Sequence, residues 1–431
     1  MPSIMSQYLA RYRRITADAG SGTLLPVTGA QRRFALVRSL DPAGRPDVVP
    51  MFFAFPYGTV GPERLRAAAR GLASRHTALR SRPAVVRGTP VLHVGEPDIP
   101  VLRPVPAPGE RPADTLRRAL ASWDPQGPPL RLFLVRDEEG RTEDLLAIAL
   151  DHAVCDGRSL ARIAEELGAA YTEHPAGLRV TPEETEAERD AYREAVLLQL
   201  AAEERADTPG AAAYWADRLR AVRAHAPLPR PERVAAGALP SGSAEARLPA
   251  HDGGVPFPGL LDACRAAADA LYGPGHVVPL GYPWGGRPVG AEPVVGCFLN
   301  TVVFPAATGH KSTPEATADA WWDDLDRADM PFDAVVAAAR AAGTGWNGAL
   351  DGLLTVDDDS RRPPLRLAGV EGREVHVDGR PVRGPFAVSV TQGTGIRLRM
   401  VWDRAVFDDA AAHRAFDALT GALRPVPHPA G

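Results

Sequence analysis

Continuous apolar runs alternate along this chain with stretches whose apolar positions recur every three to four residues, the rhythm of strands interleaved with amphipathic helices. A leading helix is expected over residues 1–20, ended by the Gly20-Ser21-Gly22 break, and the segment from Leu24 to Phe34 reads as a turn feeding a short helix. Strands are expected over 48–55, 130–135 and 145–150, a hairpin over 83–94, and helices over 62–76, 113–123 and 158–171, the last capped by Asp156 or Ser159. After a polar break at 174–180 come a long charged helix over 182–205 and a second around 213–219. Residues 224–239 are rich in Pro, Arg and Ala and read as an exposed connector. The later part mixes strands (243–248, 276–282, 297–304, 386–391, 396–402, others near Leu353 and Leu365) with helices (258–272, 314–327, 332–342, 408–424). A Gly- and Pro-rich loop occupies 283–295, and no repeat of fixed period is visible.

Both rhythms meet at residues 145–160, LLAIALDHAVCDGRSL. The apolar run reads as a buried strand, and Arg158-Ser159-Leu160 opens a helical pattern. Between them the chain delivers His152, with Asp156 and Gly157 close behind, in the manner of a catalytic loop. A buried strand holds the imidazole rigidly, and a glycine permits a tight turn and close backbone approach to a ligand. By itself the stretch also fits a histidine hydrogen-bonded within a core.

Composition narrows the field. At 431 residues the chain exceeds the size at which one hydrophobic core keeps growing, so two domains are expected, with the boundary between residues 171 and 205. With 45% apolar and 24% charged residues it has the make-up of a globular protein, neither disordered nor fibrous. The net charge of -4 comes from mixed signs without a basic block, which argues against nucleic acid as a partner. Nowhere do eighteen apolar residues run together and the N-terminus is amphipathic, so no membrane span or secretory signal is read and the cytoplasm is expected. Three cysteines, Cys155, Cys264 and Cys297, lie far apart without metal-ligand spacing, so neither a disulfide framework nor a metal site is expected.

Six ordered stretches carry a family pattern. Leu25-Pro26 through Ala30-Gln31-Arg32-Arg33, then Arg75-His76-Thr77-Ala78-Leu79-Arg80, then His152 to Gly157 come first; Gly281-Tyr282-Pro283 with Gly286-Arg287-Pro288, Val295 to Thr301, and Met330-Pro331-Phe332-Asp333 follow. Asp359 to Leu365 is a looser seventh, and Tyr214-Trp215 and the segment Val401 to Phe407 also fit. Together they cover the chain almost end to end. The chain resembles the condensation domains of nonribosomal peptide synthetases, in the HxxxD acyltransferase superfamily that also holds chloramphenicol acetyltransferase. It departs at one central position: most amide-forming members carry two adjacent histidines, and here the first is Asp151.

The resemblance implies an α/β protein of two chloramphenicol-acetyltransferase-like domains, 1–180 and 181–431, arranged as a V-shaped pseudo-dimer, monomeric and with His152 at a channel between them. It implies a free-standing condensation enzyme that transfers an acyl or aminoacyl group to an amine or alcohol. The donor would be the phosphopantetheine thioester of an acyl or peptidyl carrier protein, and the acceptor a small molecule or carrier-bound group. Coenzyme A, which carries the same arm, is the alternative donor; no bound cofactor or metal is implied.

In this scheme His152 takes a proton from the acceptor and passes one to the leaving thiolate. Asp156 shapes the loop, with Arg287 as its partner by family analogy. Gly157 either offers a backbone N–H to the developing oxyanion or merely starts the helix. Asp151 has three readings: it raises the imidazole pKa, pairs with an arginine, or points to the other face of the strand and caps something, the last two being favoured. Asn300 and Thr301, read as following a strand near the crossover between halves, bind the acceptor or brace the channel. Trp284, Trp321 and Trp322 read as core or interface aromatics, with Trp284 also a substrate-side support. Gly285-Gly286 mark a bridge over the channel, and Cys155 reads as a small packed hydrophobe. The rival readings are a catalytically silent, condensation-like module that recruits a partner enzyme, and a chain-releasing cyclase.

Overall fold

The computed structural model describes residues 4–19, 23–40, 47–173, 177–223, 237–249, 254–291, 294–309, 313–358 and 364–424. Expectations that fall on 20–22, 174–176, 224–236 and 359–363 lie outside the described residues. Along the chain the elements are α1 (Ile4–Ala19), β1 (Leu24–Leu25), α2 (Gly29–Leu40), β2 (Val48–Pro56), α3 (Pro62–Arg75), β3 (Ser81–Val86), β4 (Thr89–Val94), β5 (Val101–Leu102), α4 (Pro112–Ala121), β6 (Leu130–Arg136), β7 (Glu143–Asp151), α5 (Gly157–Glu173) and α6 (Pro182–Ala206). Then come α7 (Pro209–Arg218), β8 (Ser241–Pro249), α8 (Phe257–Tyr272), β9 (Val277–Trp284), β10 (Asn300–Ala307), α9 (Pro314–Leu325), α10 (Phe332–Ala341), β11 (Gly352–Asp358), β12 (Arg366–Leu367), β13 (Val370–Glu371), β14 (Arg373–Glu374), β15 (Phe386–Gln392), β16 (Gly395–Asp403) and α11 (Asp409–Ala422). No described helix is long and apolar enough to cross a membrane.

Two compact units result. The first holds residues 1–205, 285–299 and 362–377; the second holds 206–284, 300–361 and 378–431. Both mix helices with sheet, in keeping with the expected α/β class. The single cut expected at 180/181 differs from this division, because α6 buries Tyr192, Val196 and Leu200 in the core of the first unit. Two later segments also return to that unit.

In the first unit a five-stranded sheet runs in the order β14-β2-β7-β6-β5. The run Leu146–Leu150 of β7 is fully buried, as a strand flanked on both sides by neighbours requires, and its register sets Val48 and Leu130 opposite Asp151 and Leu150. Strand β7 therefore ends deep in the sheet, and the loop after it starts from a fixed point. A smaller sheet, β1-β4-β3, contains the expected hairpin. In the second unit a six-stranded sheet runs β10-β9-β11-β15-β16-β8 and packs α8 and α11 around Trp402, Met400 and Phe386.

The expected strand over 297–304 begins only at Asn300. Residues 297–299 stay out of the ladder because their backbone is engaged elsewhere: Cys297 O accepts from Thr28 Oγ1 and the Phe298 N–H donates to Asp156. Asn300 and Thr301 thus start a strand rather than follow one. The two-residue strands β5, β13 and β14 lack enough length to show an alternation in sequence.

Candidate active site

The loop that leaves β7 is pinned residue by residue. Asp151 N–H donates to Pro129 O at 2.8 Å and His152 N–H to Asp47 O at 2.8 Å, so the sheet pairing carries through the turn. Asp151 then caps the one-turn helix His152–Val154, its Oδ1 accepting from Ala153 N–H at 2.9 Å. The same oxygen accepts from Arg38 Nη2 at 2.7 Å. Of the three sequence readings of Asp151, the structure displays the arginine pair and the cap together.

The imidazole of His152 is half-buried. Its Nδ1 lies 3.2 Å from Cys155 O, and a carbonyl can only accept. Nδ1 is therefore the donor of that contact, and in the neutral ring Nε2 holds the lone pair, the tautomer a base needs. Phe34 stacks on the ring with centroids 4.9 Å apart and 28° between planes, which fixes its remaining rotation.

Asp156 starts α5. Its Oδ1 accepts from the Ser159 N–H and hydroxyl, each at 2.9 Å, which identifies Asp156 as the helix cap. Arg287 grips the same carboxylate through Nη2 at 2.6 and 2.7 Å and Nε at 3.1 Å, while Phe298 N–H adds a further bond. Both side chains are almost wholly buried, at 6% and 2% exposure. The guanidinium spends its other protons on Ala291 O and Val294 O and lies over the Phe298 ring. The loop after β9 is thereby drawn onto the histidine loop. Gly296 is needed there because a Cβ would stand 2.6 Å from Phe298 and 3.0 Å from Tyr192. Gly157, in contrast, is exposed and a Cβ on it would meet open space; it is the first residue of α5, where N–H groups lack intrahelical partners.

The opening motif buttresses the loop from below. Thr28 and Gln31 form a capping box at the start of α2, and Gln31 Nε2 reaches Ala153 O at 2.7 Å and Tyr192 OH at 3.0 Å. Arg32 pairs with the buried Glu203, which also accepts from Gly29 N–H. The second motif lies elsewhere in the unit: His76 Nε2 meets Glu166 of α5 at 2.8 Å, and Thr77 N–H donates to Glu188 of α6.

Cys155 is fully buried, and its Sγ faces Asp151 O at 3.7 Å. Cys264 and Cys297 are buried as well, and burial pushes both thiols up, Cys264 to about 12. In the second unit Asn300 Nδ2 donates to Ala328 O and Met330 O and its Oδ1 accepts from Phe332 N–H. It thereby holds the sixth motif onto β10. Trp284 donates to Asp329, Trp321 packs between Phe257 and Trp322, and Trp322 is 60% exposed. Sequence reasoning missed Phe34, Arg38 and Glu203; the Thr28-x-x-Gln31 spacing was the available signal for α2 and its contacts. Among the described residues no group of three His, Cys, Asp or Glu side chains is placed to hold a metal.

Comparison with known proteins gives sequence kin and a fold. No family model matches. The chain is 28% identical over 392 residues, 86% of its length, to the probable non-canonical nonribosomal peptide synthetase CymA of Salinispora arenicola, and covers 5% of that protein. It is 32% identical over 268 residues, 57% of its length, to the AMB antimetabolite synthetase AmbE of Pseudomonas aeruginosa, covering 12% of it. The chain thus spans a small fraction of these relatives. Among solved structures, the first condensation domain of the CDA synthetase superposes with a TM-score of 0.69 at 20% identity, over 94% of this chain and 96% of that one. The X-domain from teicoplanin biosynthesis superposes with a TM-score of 0.68 at 19% identity, over 93% and 95%.

Proposed function

From a chain with the condensation-domain fold and nonribosomal peptide synthetase kin, we propose an acyltransferase that moves an acyl or aminoacyl group from a phosphopantetheine thioester to an amine or alcohol. The observation that carries this reading is the Nδ1–H contact of His152 with Cys155 O, which leaves Nε2 as the basic nitrogen on a ring clamped by Phe34. The acceptor's N–H or O–H passes its proton to Nε2 as the heteroatom attacks the thioester carbonyl. The tetrahedral intermediate then collapses, the C–S bond breaks, and the thiolate takes the proton back from Nε2. An acyl thioester is already activated, so placing the two reactants side by side supplies much of the acceleration, roughly 7–11 kcal/mol in favourable cases. In this scheme Gly157, the first residue of α5, offers its N–H to the oxyanion. The thioester arm comes from a carrier protein in this scheme; coenzyme A bears the same arm.

A second reading, a module that recruits another enzyme without chemistry, draws on the equal likeness to the X-domain, which in a further structure is in complex with OxyB. Single-turnover assays with acyl carrier protein and with acyl-CoA, followed by mass, separate the two. Acyl transfer by the wild type and its loss in His152→Ala support the enzyme; no turnover by wild type with any amine or alcohol acceptor rejects it.

A further inference from the structure

Helix α2 presents one face to three consecutive residues of the histidine loop. Gln31, Phe34 and Arg38 are spaced three and four residues apart, so they lie within one stripe of the helix. Gln31 holds Ala153 O at 2.7 Å, Phe34 stacks on His152, and Arg38 pairs with Asp151 at 2.7 Å. We propose that Arg38 is a positioning residue for His152, acting through Asp151, an inference that rests on the acyltransferase reading only for its effect on rate.

The argument starts from Asp151. Its carboxylate is buried, with 2% exposure, and a buried charge persists only when paired and hydrogen-bonded. One oxygen, Oδ1, receives both the Arg38 guanidinium and the Ala153 N–H. Arg38 balances the charge, and Ala153 ties that balanced group to the turn carrying the imidazole. Removing the guanidinium leaves an anion beside the turn that sets the distance from Nδ1 to Cys155 O. The departure from a second histidine at position 151 is thus matched by a cation from α2. A plain helix-terminal role, in which Arg38 only faces the carbonyl end of α2, would leave the imidazole untouched.

The test uses the full chain labelled with ¹⁵N-histidine, the His152 signals being assigned by their loss in His152→Ala. Wild type should display the Nδ1–H tautomer. Arg38→Met should shift the nitrogens toward a mixture and slow single-turnover transfer roughly 10- to 100-fold, as small misplacements at a reacting centre do. Arg38→Lys should recover most of both, because the pair uses one donor. Should Arg38→Met fail to fold, Arg38→Gln, which keeps a polar side chain and removes the charge that balances Asp151, must reproduce the tautomer shift. A folded Arg38→Met with unchanged His152 nitrogens and rate overturns the proposal. A tautomer shift in a protein that turns over no thioester upholds the positioning role and rejects the acyltransferase reading instead.

Discussion

Asp156 and Arg287, 131 positions apart in sequence, close on each other through a forked ion pair with contacts of 2.6, 2.7 and 3.1 Å. The two sides of this pair are not equivalent. Arg287 also donates to Ala291 O and Val294 O, whereas the charge of Asp156 is met by Arg287. Arg287→Ala therefore leaves a buried anion and should cost about 3–5 kcal/mol. Asp156→Asn keeps an oxygen to cap α5 and leaves the guanidinium with its carbonyls, so its cost should be about 1–3 kcal/mol. Urea unfolding of both variants checks the order; Arg287→Lys should fall nearer to Ala than to wild type, because an ammonium cannot reproduce the fork.

The acceptor's own acidity decides how far transfer leans on His152. An α-amine, with a pKa near 8, is partly neutral at physiological pH, whereas an alcohol is hardly ionised. His152→Ala should slow transfer to an alcohol by about 10²–10⁴-fold and to a matched amine by less. Paired single-turnover rates with the two acceptors measure this, and equal losses would remove general-base chemistry from His152.

Much of this site was legible before the fold. The apolar run 145–150 and the break at His152 located the loop, and Asp156 and Arg287 entered by family likeness and meet as expected. Arg38 and Phe34 were not legible, since a half-buried arginine and phenylalanine on a short helix carry no mark of their partners. Their signal existed only in combination, as a three-and-four spacing from Gln31. The strand start at Asn300 was misread for a related reason: Cys297-Phe298-Leu299 is as apolar as Val302-Val303-Phe304, and nothing local reveals that the Phe298 N–H is taken by a carboxylate far away in sequence.

A nucleophilic cysteine would make a covalent acyl-enzyme, and the structure argues for the opposite outcome. All three thiols are buried, and burial raises Cys264 and Cys297 well above the ordinary thiol range. Native protein should resist iodoacetamide at pH 8 and take up three equivalents only after denaturation. Intact mass after incubation with an acyl thioester should show no acyl adduct on any cysteine.

Two carboxylates, the half-buried Glu166 and the buried Asp351, should pull the stability of the chain in opposite directions as pH changes. Burial opposes ionisation of Glu166, but the bonds from His76 and Arg162 win and hold it at about 2, below its ordinary value of 4.5. Above 4.5 its stabilisation is complete, and it is lost as pH falls toward 2. Asp351 in the second unit behaves in reverse, because burial pushes its carboxyl up from 3.8 to about 7. The unfolded chain releases that proton near 3.8 while the folded one keeps it, so stability falls as pH rises from 3.8 to 7, by about 4 kcal/mol as a ceiling. Urea unfolding at pH 3, 5 and 7.5 should display both slopes. Glu166→Gln should flatten the acid limb alone and Asp351→Asn the neutral limb alone, because the two groups belong to different compact units.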